Sequence, residues 1–249
     1  MSSVFGQICH ADLMFDREHE MQELEKCLDA PPGGIIVLVG PRNSGKSLLL
    51  SSLLDSAKYA ERVKLINCRM VDVTTPDGFA RAMLEDPDDS FLKSWSSSKV
   101  ATDWIGMIAG AAGASKDLIG APQAAAVGLA AKSFLTLTSR VTDPSVPPLA
   151  KILEAYNTVF ERVAKTGLKP VLVVDEANVL ASWRPDHSAA LEQLFCFFIA
   201  STKEKGLSHV ILATSDYGFI EVVEQSRCFD RTCTLLEYGM LAAPSARFA

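Results

Sequence analysis

Eight residues, Gly40-Pro41-Arg42-Asn43-Ser44-Gly45-Lys46-Ser47, constrain this chain more than any other segment. They match the pattern GxxxxGK[ST] in full. They also stand between an apolar, β-branched run, Ile35 to Val39, and a Leu-rich stretch, Leu48 to Leu54. A strand, a glycine loop and a helix in that order aim successive N–H groups and a helix N-terminus at one point, which makes an anion nest. Glycine allows positive φ and lets the backbone close around phosphate oxygens. In such a loop Lys46 reaches the β- and γ-phosphates of a nucleoside triphosphate, and the Ser47 hydroxyl ligates Mg²⁺. The expected ligand is ATP with Mg²⁺. The competing reading, a chance glycine loop with a solvated lysine, does not explain the flanking strand and helix.

A second segment, Val171-Leu172-Val173-Val174-Asp175-Glu176, is an apolar strand that ends in two acids. Paired carboxylates at the end of a buried strand are costly unless a positive charge meets them. Mg²⁺ supplies that charge, with Asp175 as its ligand, directly or through a water. Glu176 is the candidate general base that polarises an attacking water. Blander roles stay open: a helix cap for Asp175, a solvated acid for Glu176. The run HVILAT, residues 209–214, ends in Thr214-Ser215-Asp216, where Ser215 either senses the γ-phosphate or forms a turn. Arg231 is either an arginine finger, in cis or across a subunit interface, or half of a surface ion pair.

Strands and helices alternate along the chain. Strands are expected at 35–39, 63–68, 171–174, 209–214 and 232–236. Helices are expected at 15–28, capped by Asp16, and at 48–54, 74–84, 148–164, 188–204 and 219–225. This order predicts an α/β fold with a parallel sheet of about five strands and helices on both faces. Ligands of such sheets bind at the carboxyl ends of the strands, where each polar motif falls. The chain is read as one P-loop NTPase domain over residues 1–249. Residues 104–135 form an Ala/Gly-rich insertion, almost free of charge. Lys116, Asp117 and Pro122 interrupt it, so it lacks the roughly 20 apolar residues a spanning helix needs, and membrane contact is not expected.

Composition narrows the function classes. A net charge of −6 and no dense Lys/Arg run argue against strong nucleic-acid binding by this chain alone. Six scattered cysteines show no metal-ligand spacing and predict free thiols in a reducing compartment. The first residues carry no basic, apolar leader, so a cytoplasmic location is expected. ATP is favoured over GTP because there is no NKxD and Asp175 is not followed by xxG.

Together these segments resemble the AAA-related P-loop ATPases of the archaeal ATPase or STAND-type group. Phe15-Asp16-Arg17-Glu18-His19-Glu20 is similar to that group's opening F-x-R-E-x-E helix. Gly40 to Ser47 resembles its Walker A loop, and Asp175-Glu176 its Walker B pair. Ile66-Asn67-Cys68-Arg69 resembles the strand that ends near an Arg, and Ile211 to Ser215 the strand that carries the first sensor. Asp230-Arg231 stands where members often have Gly-Arg, and the missing Gly is a departure. The resemblance covers nearly the whole chain outside residues 85–147. It implies a five-stranded parallel sheet, Mg-ATP as ligand, and ATP use for conformational change or assembly. A protein partner is therefore expected, and an oligomer fits the group. The C-terminal lid of such proteins is expected to be missing, because the sequence stops at Ala249, shortly after the fifth strand. Three readings follow: an ATPase, a nucleotide-binding switch with little turnover, and a small-molecule kinase. Glu176 favours the first, the missing lid the second.

Overall fold

The computed structural model describes residues 17–84, 149–226 and 233–237, apart from 57, 60, 61 and 166. Five strands form one sheet: β1 (Ile35–Val39), β2 (Val63–Asn67), β3 (Val171–Asp175), β4 (His209–Thr214) and β5 (Thr234–Glu237). Their order across the sheet is β2-β3-β4-β1-β5, and every pairing is parallel. β1, β3 and β4 are buried at every position. Strands covered on both faces need continuous apolar runs, and IIVLV, VLVV and VILA supply them. The expected parallel α/β architecture is the one observed.

Period-two alternation divides the core in two. Ile36, Leu38, Val171, Val173, Ile211 and Ala213 pack on one face, with Leu24 and Leu28 of α1 (Glu18–Asp29) and Leu49, Leu50 and Leu53 of α2 (Lys46–Asp55). Their neighbours Ile35, Val37, Leu172, Val174, Val210 and Leu212 pack on the other. There they meet α3 (Pro76–Leu84), α4 (Leu149–Ala164), α5 (Ser188–Ile199) and α6 (Gly218–Glu224). The α4 stripe Leu149, Ile152, Leu153, Tyr156, Phe160 and Val163 is wholly buried, as its helical spacing predicts. So is the α5 cluster Leu194, Phe195, Phe197 and Phe198.

Several boundaries differ from the sequence reading. The helix expected through residue 204 is α-helical only to Ile199 and widens into a π-turn over Ala200–Glu204. There the hydroxyls of Ser201 and Thr202 donate to the Phe198 carbonyl, competing with the regular ladder. The cap of α1 is Arg17 and gives no side-chain cap bond; Asp16 lies outside the described residues. A 3-10 helix, Ala177–Trp183, follows β3 and was not foreseen. It seats Trp183 in the core, where the indole Nε1–H donates to the Val73 carbonyl at 2.8 Å and the ring meets Phe79 edge to face. Cys68 is a buried free thiol, as expected, but Cys196 is disulfide-bonded, which corrects the expectation of free thiols throughout. Residues 104–135, Arg231 and the chain's last residues lie outside the described part. No helix among the described residues is long and apolar enough to cross a membrane.

His209 opens β4 at the edge opposite the strands' carboxyl ends and is 2 % exposed, with a buried Nε2 that has no partner among the described residues. Burial, reinforced by the charges of Arg62 and Lys169 and only partly offset by Asp29 and a hydrogen bond to the Leu28 backbone, pushes its pKa down to about 4. An unfolded histidine titrates near 6.5, so between those values the unfolded chain binds more protons than the folded one. Stability is therefore complete above pH 6.5 and falls by up to about 3 kcal/mol as the pH drops to 4. Urea unfolding of wild type and His209→Gln at pH 8, 6 and 4.5 checks this. The variant should lose less stability across the series than wild type.

Candidate functional site

Parallel register brings the strands' carboxyl ends to one line. Val39 pairs with Thr214, Asn67 with Asp175, and Val39 on its other side with Glu237. The loop after β1 therefore emerges beside the ends of β3 and β4. Its first peptide continues the sheet, with Gly40 N–H donating to the Thr214 carbonyl at 3.3 Å.

The loop has the backbone its sequence requires. Gly45 has φ of +94°, a left-handed conformation that suits glycine, and it leads directly into α2. Asn43 also takes positive φ, at +62°, which Asn tolerates better than most residues. Arg42 and Asn43 are exposed, while Ser44 and Lys46 are buried. The Lys46 ammonium donates to the carbonyls of Gly40 and Pro41, both at 2.8 Å, and to Ser44 Oγ at 3.4 Å. Its pKa is lowered, first by burial; Glu176 and Asp175 oppose that shift, and Arg69 adds to it. A lysine that neutral carbonyls hold inside the loop is free to exchange them for anionic oxygens.

Asp175 ends β3 with 2 % exposure. Its Oδ2 accepts from Ser47 Oγ at 2.7 Å, and its Oδ1 accepts the N–H of Glu176 at 3.0 Å. Thus Ser47 and Asp175, 128 residues apart, meet. A hydroxyl and a carboxylate are the hard oxygen ligands that Mg²⁺ takes, usually one or two from protein beside phosphate and water. The pair fits that ion.

Glu176 is also buried and stands in left-handed backbone, with φ of +56°. For a non-glycine residue that costs of order 1 kcal/mol and is typical of functional sites. Both carboxylate oxygens are engaged. Oε1 forms an ion pair with the Arg69 guanidinium, and Oε2 accepts from Ser215 Oγ at 3.2 Å. Ser215 therefore lies at the site, bonded to the acid rather than placed in a bare turn. Beside it, Thr214 Oγ1 links Asn178 Oδ1 and the backbone of Asp216.

The sequence brought Arg69 forward only as part of a resemblance, and did not name it as a site residue. Its signal was a cation just past a strand whose end, Asn67, pairs with Asp175. Asn178 had no sequence signal, because the 3-10 helix that carries it was unforeseen.

The model of a family described as an ATPase domain predominantly from Archaea matches residues 14–242. The chain belongs to this family. Among its relatives is an uncharacterized ATP-binding protein of Pyrococcus abyssi, 30 % identical over 212 residues, covering 85 % of this chain and 56 % of the relative. Another, from Methanocaldococcus jannaschii and also described as an uncharacterized ATP-binding protein, is 28 % identical over 224 residues, or 84 % of this chain and 54 % of the relative. The chain thus spans about half the length of these curated relatives. A solved structure, a Walker-type ATPase of Pyrococcus abyssi, shares the fold with a TM-score of 0.52 at 19 % identity, covering 92 % of this chain and 54 % of that one.

Cys68 touches this site through its backbone, its N–H donating to the Asp175 carbonyl at 3.1 Å. Its thiol is pushed up to about 12, by burial first and then by the charges of Asp175 and Glu176. It is therefore no nucleophile. Iodoacetamide at pH 8 should leave Cys68 unmodified in the folded protein and label it after denaturation, which peptide mass mapping reads directly.

Proposed function

We propose that this chain binds Mg-ATP at the P-loop and hydrolyses it, using the energy for a conformational or assembly change. One observation carries the reading: Lys46, Ser47, Asp175 and Glu176, drawn from two distant segments, converge at the carboxyl ends of β1 and β3, the two strands that flank β4. Membership of an ATPase family and relatives described as ATP-binding support it. In this reading the backbone of Gly40, Pro41, Arg42, Asn43, Ser44 and Gly45 cradles the phosphates. Lys46 exchanges its carbonyl partners for phosphate oxygens. Ser47 and Asp175 hold Mg²⁺, which when bound neutralises charge on the β- and γ-phosphates. Glu176 accepts a proton from the attacking water, and Ser215 orients its carboxylate. Arg231 reaches a phosphate in cis or in a neighbouring subunit. The chain is one P-loop domain with an insertion at 104–135, works in the cytoplasm, and acts on a protein partner.

A second reading is favoured by the state of Glu176. With Arg69 on one oxygen and Ser215 on the other, both oxygens of its carboxylate are already engaged. So held, the chain is a nucleotide-dependent switch with little turnover, and hydrolysis follows release of Arg69.

Calorimetry with Mg-ATP and phosphate release in the same samples tests both readings. Lys46→Ala should weaken binding by roughly 10- to 100-fold, the worth of a lost charge-assisted contact. Glu176→Gln should bind ATP as wild type does but lose about 10² to 10⁴ in turnover, as expected for a general base. If Glu176→Gln turns over ATP like wild type, that role is wrong. Arg69→Ala separates the readings. Faster phosphate release at unchanged affinity supports the held switch, and an unchanged rate leaves the plain ATPase.

A further inference from the structure

Arg17 was prominent in the sequence only as part of the opening helix. In the structure its guanidinium is buried, with 7 % side-chain exposure, and among the described residues it bonds Glu20 and Ser44. One nitrogen donates to Glu20 Oε1, one turn further along α1, at 2.6 Å. The other crosses 27 residues to donate to the Ser44 carbonyl at 3.1 Å. Burial alone would raise the Glu20 carboxyl; the Arg17 hydrogen bond, Glu20's own backbone N–H and the charges of Arg17 and His19 together hold it below its usual range. A buried cation fixed in this way is expensive unless it is needed where it stands.

The Ser44 carbonyl has a special place. It belongs to the peptide that joins Ser44 to Gly45, the residue with φ of +94° that starts α2. That peptide is trans, since the described residues contain a cis bond only at Arg184-Pro185. In a planar trans peptide the C=O and N–H point in opposite directions. Holding the carbonyl toward α1 therefore turns the Gly45 N–H away from α1. A phosphate nest depends on the direction of such N–H groups. The hold is rigid because Leu24 and Leu28 seat α1 in the same core cluster as Leu49, Leu50 and Leu53 of α2.

We propose that Arg17 is a positioning residue for the phosphate-binding loop: with Glu20 to fix it, it sets the Ser44–Gly45 peptide before nucleotide arrives. The proposal rests on the nucleotide-binding reading above. It predicts that Arg17 serves the phosphates and not the base, although it never touches the ligand.

The test compares wild type, Arg17→Ala, Arg17→Lys and Lys46→Ala. Mg-ATP affinity is measured by calorimetry, tripolyphosphate affinity by competition, and melting temperature without nucleotide. Arg17→Ala should weaken ATP and tripolyphosphate alike, by about tenfold, the worth of one well-placed donor. Arg17→Lys keeps the charge but lacks the fork that serves both partners, so it should keep the apo melting temperature and lose part of the affinity. Should Arg17→Ala fail to fold, Arg17→Lys decides alone. Wild-type affinity for both ligands in a folded Arg17 variant overturns the proposal. So does a loss for ATP that tripolyphosphate does not share, which would place Arg17 on the base side. If Lys46→Ala also binds ATP like wild type, the nucleotide-binding reading has failed. If only the Arg17 variants bind normally, the proposal alone has failed.

Discussion

A carboxylate with 2 % exposure cannot stand at the end of an apolar strand without compensation. In this fold the compensation for Asp175 comes from Ser47 and from the Glu176 N–H. The rest of the site follows from that need. Ser47 can meet Asp175 only if α2 starts where the loop from β1 crosses toward β3. That in turn requires β1 and β3 to lie on either side of β4 in register, which the pairings Val39 with Thr214 and Val174 with Leu212 provide. The continuous burial of β1, β3 and β4 fixes this register on both faces at once. A slip of one residue would exchange the two core clusters and move every polar end group.

Glu176 shows a different economy. Its left-handed backbone and its two partners, Arg69 and Ser215, hold it in one pose. Arg69 comes from the turn after β2, and Ser215 from the end of β4. Neighbours on both sides of β3 therefore reach one carboxylate. Any movement of β2 or β4 relative to β3 is felt there first. If the chain hydrolyses ATP as proposed, a site built in this way couples that turnover to the placing of β2 and β4.

Much of this was legible in the sequence, for definite reasons. β1 and β4 have their expected limits, because buried parallel strands are written as unbroken apolar runs closed by Gly40 and by Ser215. Ser47 and Asp175 were each legible as candidate Mg²⁺ ligands, from the loop motif and from the acid at a strand end; the structure adds their direct contact. Three features were not legible. The 3-10 helix has no period of its own in ANVLASW, so Asn178 went unassigned. The π-turn arises from Ser201 and Thr202 bonding back to Phe198, a local competition that apolar periodicity does not register. Cys196 sits in the apolar α5 sequence, where nothing in the spacing marks it as disulfide-bonded.

The placement of buried polar groups separates structure from function. At the carboxyl ends of the strands, Lys46, Asp175 and Glu176 are buried with partners that a ligand or a water can replace. At the opposite edge, His209 is buried neutral with an Nε2 unpartnered among the described residues, and Lys169 donates to the Gly206 carbonyl. That edge can only lose stability when its charge changes. The first edge can exchange one set of partners for another at little net cost, since carbonyl and hydroxyl contacts are weaker than those to phosphate. In the proposed reading the exchangeable contacts lie at one end of the sheet, and α1, through Arg17, reaches into its loop from outside the sheet.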